Sequence, residues 1–242
     1  MTDRGRSALR ASRDELRIGP SALRWQGDRL VIEVDEIGAL PLVSRVRGTI
    51  TLIPQAITSV ELPLTPDGTH IWRPFAPRAR IEVDLEAPGW QWQGHGYFDA
   101  NFGTRALEQD FRFWTWGRYP TKDGAICIYD AERRDGTMLD CAVAFDAQGN
   151  AAITDAPPRV PFRKSLWQIR RETRADPGTT PRQVLPMLDA PFYSRSAVAT
   201  RINGQDVTGV HEALDLDRFR KFWLKPMLAF RVPRRAGWRF PD

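Results

Sequence analysis

The stretch "GHGYFDANFG", residues 94–103, sets a phenol and a carboxyl two residues apart, at Tyr97 and Asp99. Side chains of an extended chain alternate between two faces, so His95, Tyr97, Asp99 and Asn101 share one face if 90–101 is a strand. Trp90, Trp92, Gly94, Gly96 and Phe98 take the other. A carboxyl whose charged form is disfavoured by burial stays protonated and can act as a general acid. The same pattern also describes a surface pair or a buried hydrogen bond. The arrangement is backwards for a simple amphipathic strand, because the polar face is specific and the other face is rich in rings. A barrel whose lumen holds a small polar cluster accounts for it, and Gly94 and Gly96 would let a ligand or a neighbouring strand approach closely.

Other familiar chemistries lack their residues. His70, His95 and His211 are scattered, with no HExxH or CxxC, so no metal site is expected and each histidine reads as structural or superficial. No GxGxxG opens a helix, no GxxxxGK[ST] is present, and no GxSxG elbow appears. Cys127 and Cys141 lie on the two arms of a hairpin turning at Asp135-Gly136. A two-residue turn there sets Cys127 against Ala144 and Cys141 against Asp130, out of register for a disulfide. Two reduced thiols suit a cytosolic chain.

The elements that must position these residues read mostly as strands. Residues 30–37, 45–53 and 79–87 alternate, the last most cleanly, with Ile81, Val83 and Leu85 against Arg80, Glu82, Asp84 and Glu86. Asn203-Gly204 marks a second hairpin. Helical patterns are confined to 106–114 and 214–230, the latter with Phe219, Phe222 and Trp223 at helical spacing and Pro226 interrupting. Residues 71–77 read as a packing turn, and 155–162 and 174–183 as loops. Glycine-rich strand gives way to helix after residue 103, which divides the chain into domains at 1–104 and 105–242. Short, evenly spaced strands favour a sandwich or barrel.

The bulk numbers agree. The chain has 242 residues, with nine tryptophans, twelve phenylalanines, nineteen prolines and eighteen glycines, which suits many short elements around apolar surfaces. A net charge of +5 permits an anionic partner, an ordinary solvated basic surface being the alternative. No basic stripe is interleaved with stacking aromatics, so nucleic-acid binding is not expected. No apolar run approaches the roughly 18 residues of a membrane-spanning helix, and the N-terminus lacks the apolar core of a signal peptide. A soluble intracellular protein is the default expectation.

At "LRIGPSALRWQGDRLVIEVDE", "HIWRPFAPRARIEV", "WQGHGYFDANFG", "FWTWGRY", "YDAERRDG", "APFYSRS" and "GVHEALDLDRF", nearly end to end, the chain resembles the carotenoid 1,2-hydratases, or hydroxyneurosporene synthases, of photosynthetic bacteria. The resemblance implies an all-β fold of two lipocalin-like (calycin-type) antiparallel β-barrel domains with one or two short helices. The first barrel would be incomplete, since family members are longer at the N-terminus. It implies a cofactor-independent hydro-lyase that adds water to the terminal C1=C2 bond of acyclic carotenes such as neurosporene or lycopene, in acyclic xanthophyll biosynthesis. The family's tryptophan, tyrosine and aspartate fall on Trp72, Tyr97 and Asp99. Asp99 would protonate C2, and the face of Trp72 would stabilise the tertiary cation at C1 by cation–π attraction. Tyr97 would orient Asp99, hold the attacking water or supply a second π face. Trp92, His95, Asn101, Trp114 and Trp116 are the expected substrate-binding residues, with Phe113 beside them. Partners would be the carotenoid, water and an anionic membrane surface touched through the basic segment 230–240, placing the protein in the cytoplasm, peripheral to the inner or intracytoplasmic membrane. The alternative is a non-catalytic barrel that carries a hydrophobic isoprenoid ligand.

Overall fold

Period-two patterning extends over most of the chain, and the computed structural model is accordingly almost all strand. It describes residues 4–38 and 43–224; the basic segment 230–240 lies outside them. In chain order the strands are β1 (Leu9–Ala11), β2 (Glu15–Ile18), β3 (Ser21–Gln26), β4 (Arg29–Ile37), β5 (Arg45–Pro54), β6 (Leu62–Pro63), β7 (His70–Ala87) and β8 (Trp90–Gly103). There follow α1 (Leu107–Asp110), β9 (Phe111–Pro120), β10 (Gly124–Arg133), β11 (Met138–Asp146), β12 (Ala151–Ile153), β13 (Arg159–Phe162), β14 (Arg171–Arg174), β15 (Arg182–Asp189), β16 (Tyr193–Ile202), β17 (Gln205–Asp215) and α2 (Leu216–Phe219).

Contacts divide the chain into two units. The first comprises residues 1–55, 79–97 and 222–242, the second residues 56–78 and 98–221. The break expected at 104/105 lies within the second by this division. In the first unit, β1 to β5 form an antiparallel meander, and β5 pairs the later part of β7. Ala22, Leu30, Leu52, Val83 and Leu85 are among its buried apolar residues. Gly96 lies against this set: a Cβ there would come within 2.7 Å of Ile81 Cδ1. The close approach foreseen for this glycine is therefore made by a neighbouring strand.

The second unit contains a seven-stranded antiparallel sheet in the order β12-β11-β10-β9-β17-β16-β15. Its two faces have different residents. One carries Ser196, His211, Gly117 and Ile128 in one row and Ser194, Ala213, Thr115 and Asp130 in the next. The β13–β14 pair is bonded to this face. Arg174 grips Asp130 through two hydrogen bonds of 2.9 and 2.5 Å, Tyr119 meets Thr173 at 2.8 Å, and His211 Nε2 donates to the Glu172 carbonyl at 2.8 Å. Burial lowers the His211 pKa to about 4, so the ring is neutral and structural.

Several expectations are corrected. Neither large sheet closes into a barrel; both are open antiparallel sheets. The pattern at 106–114 yields only one helical turn before β9, because Phe111, Phe113, Trp114 and Trp116 are all buried in the sheet. The pattern from 214 yields α2 and a 3₁₀ turn at Phe222–Leu224; Pro226 lies outside the described residues. Residues 71–77 are strand, not turn. The carbonyls of Pro74 and Pro77 are taken by Thr58 Oγ1 at 2.6 Å and Arg118 Nε at 2.8 Å. The 155–162 and 174–183 segments include strand residues of β13, β14 and β15. The β10–β11 hairpin has a three-residue turn, Arg134 to Gly136, with Gly136 at φ 87°. This shifts the register by one, so Cys127 faces Val143 and Cys141 faces Tyr129. Both cysteines are free, and burial raises their pKa to about 12 and about 11. The Asn203-Gly204 hairpin forms as expected, with φ of 51° and 78°.

Candidate active site

The site is organised by the first half of β7. Its even positions His70, Trp72, Pro74 and Ala76 are buried while Ile71, Arg73 and Phe75 are only half-buried, the alternation of a strand with one covered face. The second half of β8 supplies the partner residues. Trp72 Nε1 donates to Asp99 Oδ2 at 2.9 Å, and on the alternate parity Phe75 and Phe98 stack at 5.5 Å. The two-faced reading of the "GYFDAN" stretch is thus realised.

Around this pair the setting is aromatic. Trp72 has no exposed surface, and its ring lies 5.7 Å from that of Tyr129. Tyr129 in turn meets Trp114 edge-on at 5.3 Å and donates to Asn101 Oδ1 at 3.5 Å. The Trp114 Nε1 donor is buried without an acceptor among the described residues, the kind of unsatisfied group that marks functional sites. Burial raises the Asp99 pKa above the ordinary carboxylate range, against the Trp72 hydrogen bond and the Arg195 charge, which pull it down. The Tyr129 phenol is raised well above its usual value by burial and by the charges of Asp99 and Glu212.

Of the residues expected from sequence, Trp72 and Asp99 are brought into direct contact. Trp114 and Trp116 are buried on the same sheet face as Tyr129. Asn101, on β8, is exposed and accepts from Tyr129. Tyr97 is half-buried two residues before Asp99 on β8, in the first unit. Trp92 and His95 are exposed in that unit, which removes the burial that would make either a wall of an apolar cavity. The indole of Trp72 approaches Asp99 with its N–H edge, so its contact with the acid is a hydrogen bond rather than a π face.

Sequence reasoning missed four residues. His70 is buried and paired with Asp110 at 2.7 Å, one strand residue-pair before Trp72. Tyr129, Glu212 and Arg195 complete the polar surroundings of Asp99. Strand alternation with Trp72 was available as a signal for His70. No local pattern announces Glu212, whose place depends on pairing across the sheet.

Among the described residues no group of three His, Cys, Asp or Glu side chains is arranged to hold a metal ion. No helix among them is long and apolar enough to cross a membrane.

Comparisons with known proteins bear on this geometry. The family described as carotenoid hydratase CrtC matches residues 1–241. The acyclic carotenoid 1,2-hydratase of Cereibacter sphaeroides is 62% identical over 240 residues, covering 99% of this chain and 86% of the relative. That of Rhodobacter capsulatus is 58% identical, covering 100% and 86%, and that of Thiocapsa roseopersicina is 46% identical, covering 98% and 58%. Among solved structures, an AttH-type protein of Nitrosomonas europaea superposes with a TM-score of 0.56 at 15% identity, covering 87% of this chain and 72% of that one. CghA with Sch210972 gives 0.51 at 10% identity, with coverage of 85% and 68%. These two likenesses speak for the all-β fold alone. With a family match over almost its whole length and relatives this similar, the chain belongs to the carotenoid hydratase family.

Proposed function

We propose that this chain is a hydro-lyase that adds water across the terminal C1=C2 bond of acyclic carotenoids such as neurosporene or lycopene, with Asp99 as the general acid. The observation that carries the reading is the Trp72–Asp99 hydrogen bond inside a ring-lined setting. A trisubstituted alkene is a very weak base, so its protonation needs a positioned acid that is still protonated at neutral pH. Asp99 is positioned for this, because burial shifts it toward its neutral form and the Trp72 N–H fixes one oxygen, leaving the other to carry the proton.

Asp99 delivers its proton to C2, the π electrons form the new C–H bond, and a tertiary cation is left at C1. Water bonds to C1 and loses a proton, which returns by way of solvent to the Asp99 carboxylate, giving the tertiary alcohol. Every atom added comes from water, so the reaction balances without an oxidant or reductant. The electron-rich faces of Tyr129 and Trp114 are the rings placed to stabilise the cation, a role worth roughly 2 kcal/mol when desolvated. Trp72 positions the acid. Tyr97, on the Asp99 face of β8, is the group we assign to orienting the incoming water.

The test is expression in cells that accumulate lycopene or neurosporene, with pigments analysed for 1-hydroxy products. Asp99→Asn must abolish these products while the purified variant still binds carotenoid. A carrier without catalysis would give no hydroxylated pigment from either chain, and a protein using another acid would keep turnover in Asp99→Asn.

A further inference from the structure

The face of the seven-stranded sheet that receives Trp72 carries a second acid. Residues directly opposed in an antiparallel sheet project from the same side. One such row reads Arg195, Glu212, Trp116, Tyr129 and Cys141, from β16 through β17, β9 and β10 to β11. Trp72 packs on Tyr129 and holds Asp99, so the row passes beneath the site just described. Glu212 stands two strands from Tyr129, roughly 10 Å between backbones, and the side chains close part of that distance. Glu212 feels the charge of Asp99.

Glu212 is held differently from Asp99. Its side chain is 18% exposed, Arg195 Nη1 lies 3.4 Å from Oε1, and the Tyr193 hydroxyl donates to it. The groups that face it are therefore Arg195 and Tyr193 on β16, Trp116 on β9, Tyr129 on β10 and Asp99 on β8. Arg118, in the next row of β9, is turned to the Pro77 carbonyl. Burial raises the pKa of both acids and the charge on Asp99 raises that of Glu212 further, while Arg195 and the Tyr193 hydroxyl pull Glu212 down and the Trp72 N–H and the Arg195 charge pull Asp99 down. Two carboxyls held by different partners on one face can divide the acid and base roles between them.

We propose that Glu212 is the general base that takes the proton from the water adding at C1. The proposal rests on the hydratase reading above. As Asp99 becomes a carboxylate by protonating C2, the water oxygen bonds to C1 and its proton passes to Glu212. Transfer of that proton through solvent to Asp99 resets both groups, so the cycle consumes only water and alkene.

The test compares the wild-type chain with Glu212→Gln and Glu212→Asp on solubilised lycopene, with thermal unfolding as the control for folding. Glu212→Gln is expected to lower kcat by about a hundredfold or more, the range of general-base catalysis. KM should stay within about threefold, and the fall in rate on the acid side of the pH profile should disappear. Glu212→Asp should restore part of kcat and the acid limb. In D2O, lycopene recovered from Glu212→Gln should carry deuterium at C2, because the cation still forms and then returns to alkene. Lycopene recovered from Asp99→Asn should carry none. A Glu212→Gln enzyme that keeps kcat, or loses it while keeping the acid limb and showing no deuterium, overturns the inference and leaves the hydratase reading standing. A wild-type chain that makes no hydroxylated product overturns both.

Discussion

Replacing Trp72 by Phe separates two roles an indole can play next to an acid. The variant keeps an aromatic face and removes the N–H that Asp99 Oδ2 accepts at 2.9 Å. A hydrogen bond to a charged acceptor is worth about 1.5–3 kcal/mol. At about 1.4 kcal/mol per tenfold, its loss weakens the Asp99 acid by roughly ten- to a hundredfold. The sign follows from which form is stabilised. The N–H favours the carboxylate, so without it the neutral acid persists to higher pH, and the basic limb of the kcat profile moves up. The loss of orientation lowers the plateau as well. The assay is the pH dependence of lycopene or neurosporene hydration over about pH 5–10, with urea unfolding to measure the cost of the smaller ring at a site with no exposed surface. A basic limb that stays in place or moves down, with the plateau retained, would refute the argument that the indole acts on Asp99 through its edge.

Asp99→Asn should trade activity for stability in a pH-dependent way. The folded-state pKa of Asp99 is raised, so its contribution to wild-type stability is complete at low pH and is lost as pH rises through the folded value. The variant's Tm should therefore gain on wild type as pH rises above about 4, the unfolded-state value, and a pH-independent difference would contradict the burial of this carboxyl. Arg174→Ala strands the buried Asp130 and should cost about 3–5 kcal/mol in chemical denaturation. The double replacement Arg174→Met with Asp130→Leu should recover much of that loss. Gly96→Ala places a methyl 2.7 Å from Ile81 Cδ1 and should destabilise by about 1 kcal/mol or more, less when Ile81 is shortened to Val in the same chain.

What could be read in the sequence was whatever period-two alternation or a short turn motif encodes. Residues 79–87 alternate cleanly and form strand; Asn203-Gly204 demands two positive φ angles and takes them. The same logic placed Asp99 and Phe98 on opposite faces, where they find Trp72 and Phe75. Failures arose where a choice depended on long-range pairing. The 106–114 segment has helical spacing, yet three of its rings, Phe111, Phe113 and Trp114, are buried in the sheet, and tertiary burial overrides local preference. The Asp135-Gly136 dipeptide signals a turn but not its length, and one extra residue reversed the face assigned to Cys141. Trp92 and His95, expected to bind substrate, lie on β8 at exposed positions. Glu212 is 113 residues from Asp99 in the chain, by their numbers, and only the β9–β17 pairing brings it to the same face as Tyr129.

The tight reversal at Asn203-Gly204 lies seven residues from Arg195's end of the ladder, counting Ile202 back to Arg195, and it sets the count for every pair between β16 and β17. Because neighbouring positions on β17 serve opposite faces, shifting the pairing by one residue at that reversal would bring His211 into the slot beside Arg195 and thrust Glu212 toward the side bonded to β14. The hairpin tip thus works as an indexing stop that keeps the proposed base, Glu212, on the Tyr129 face of the sheet.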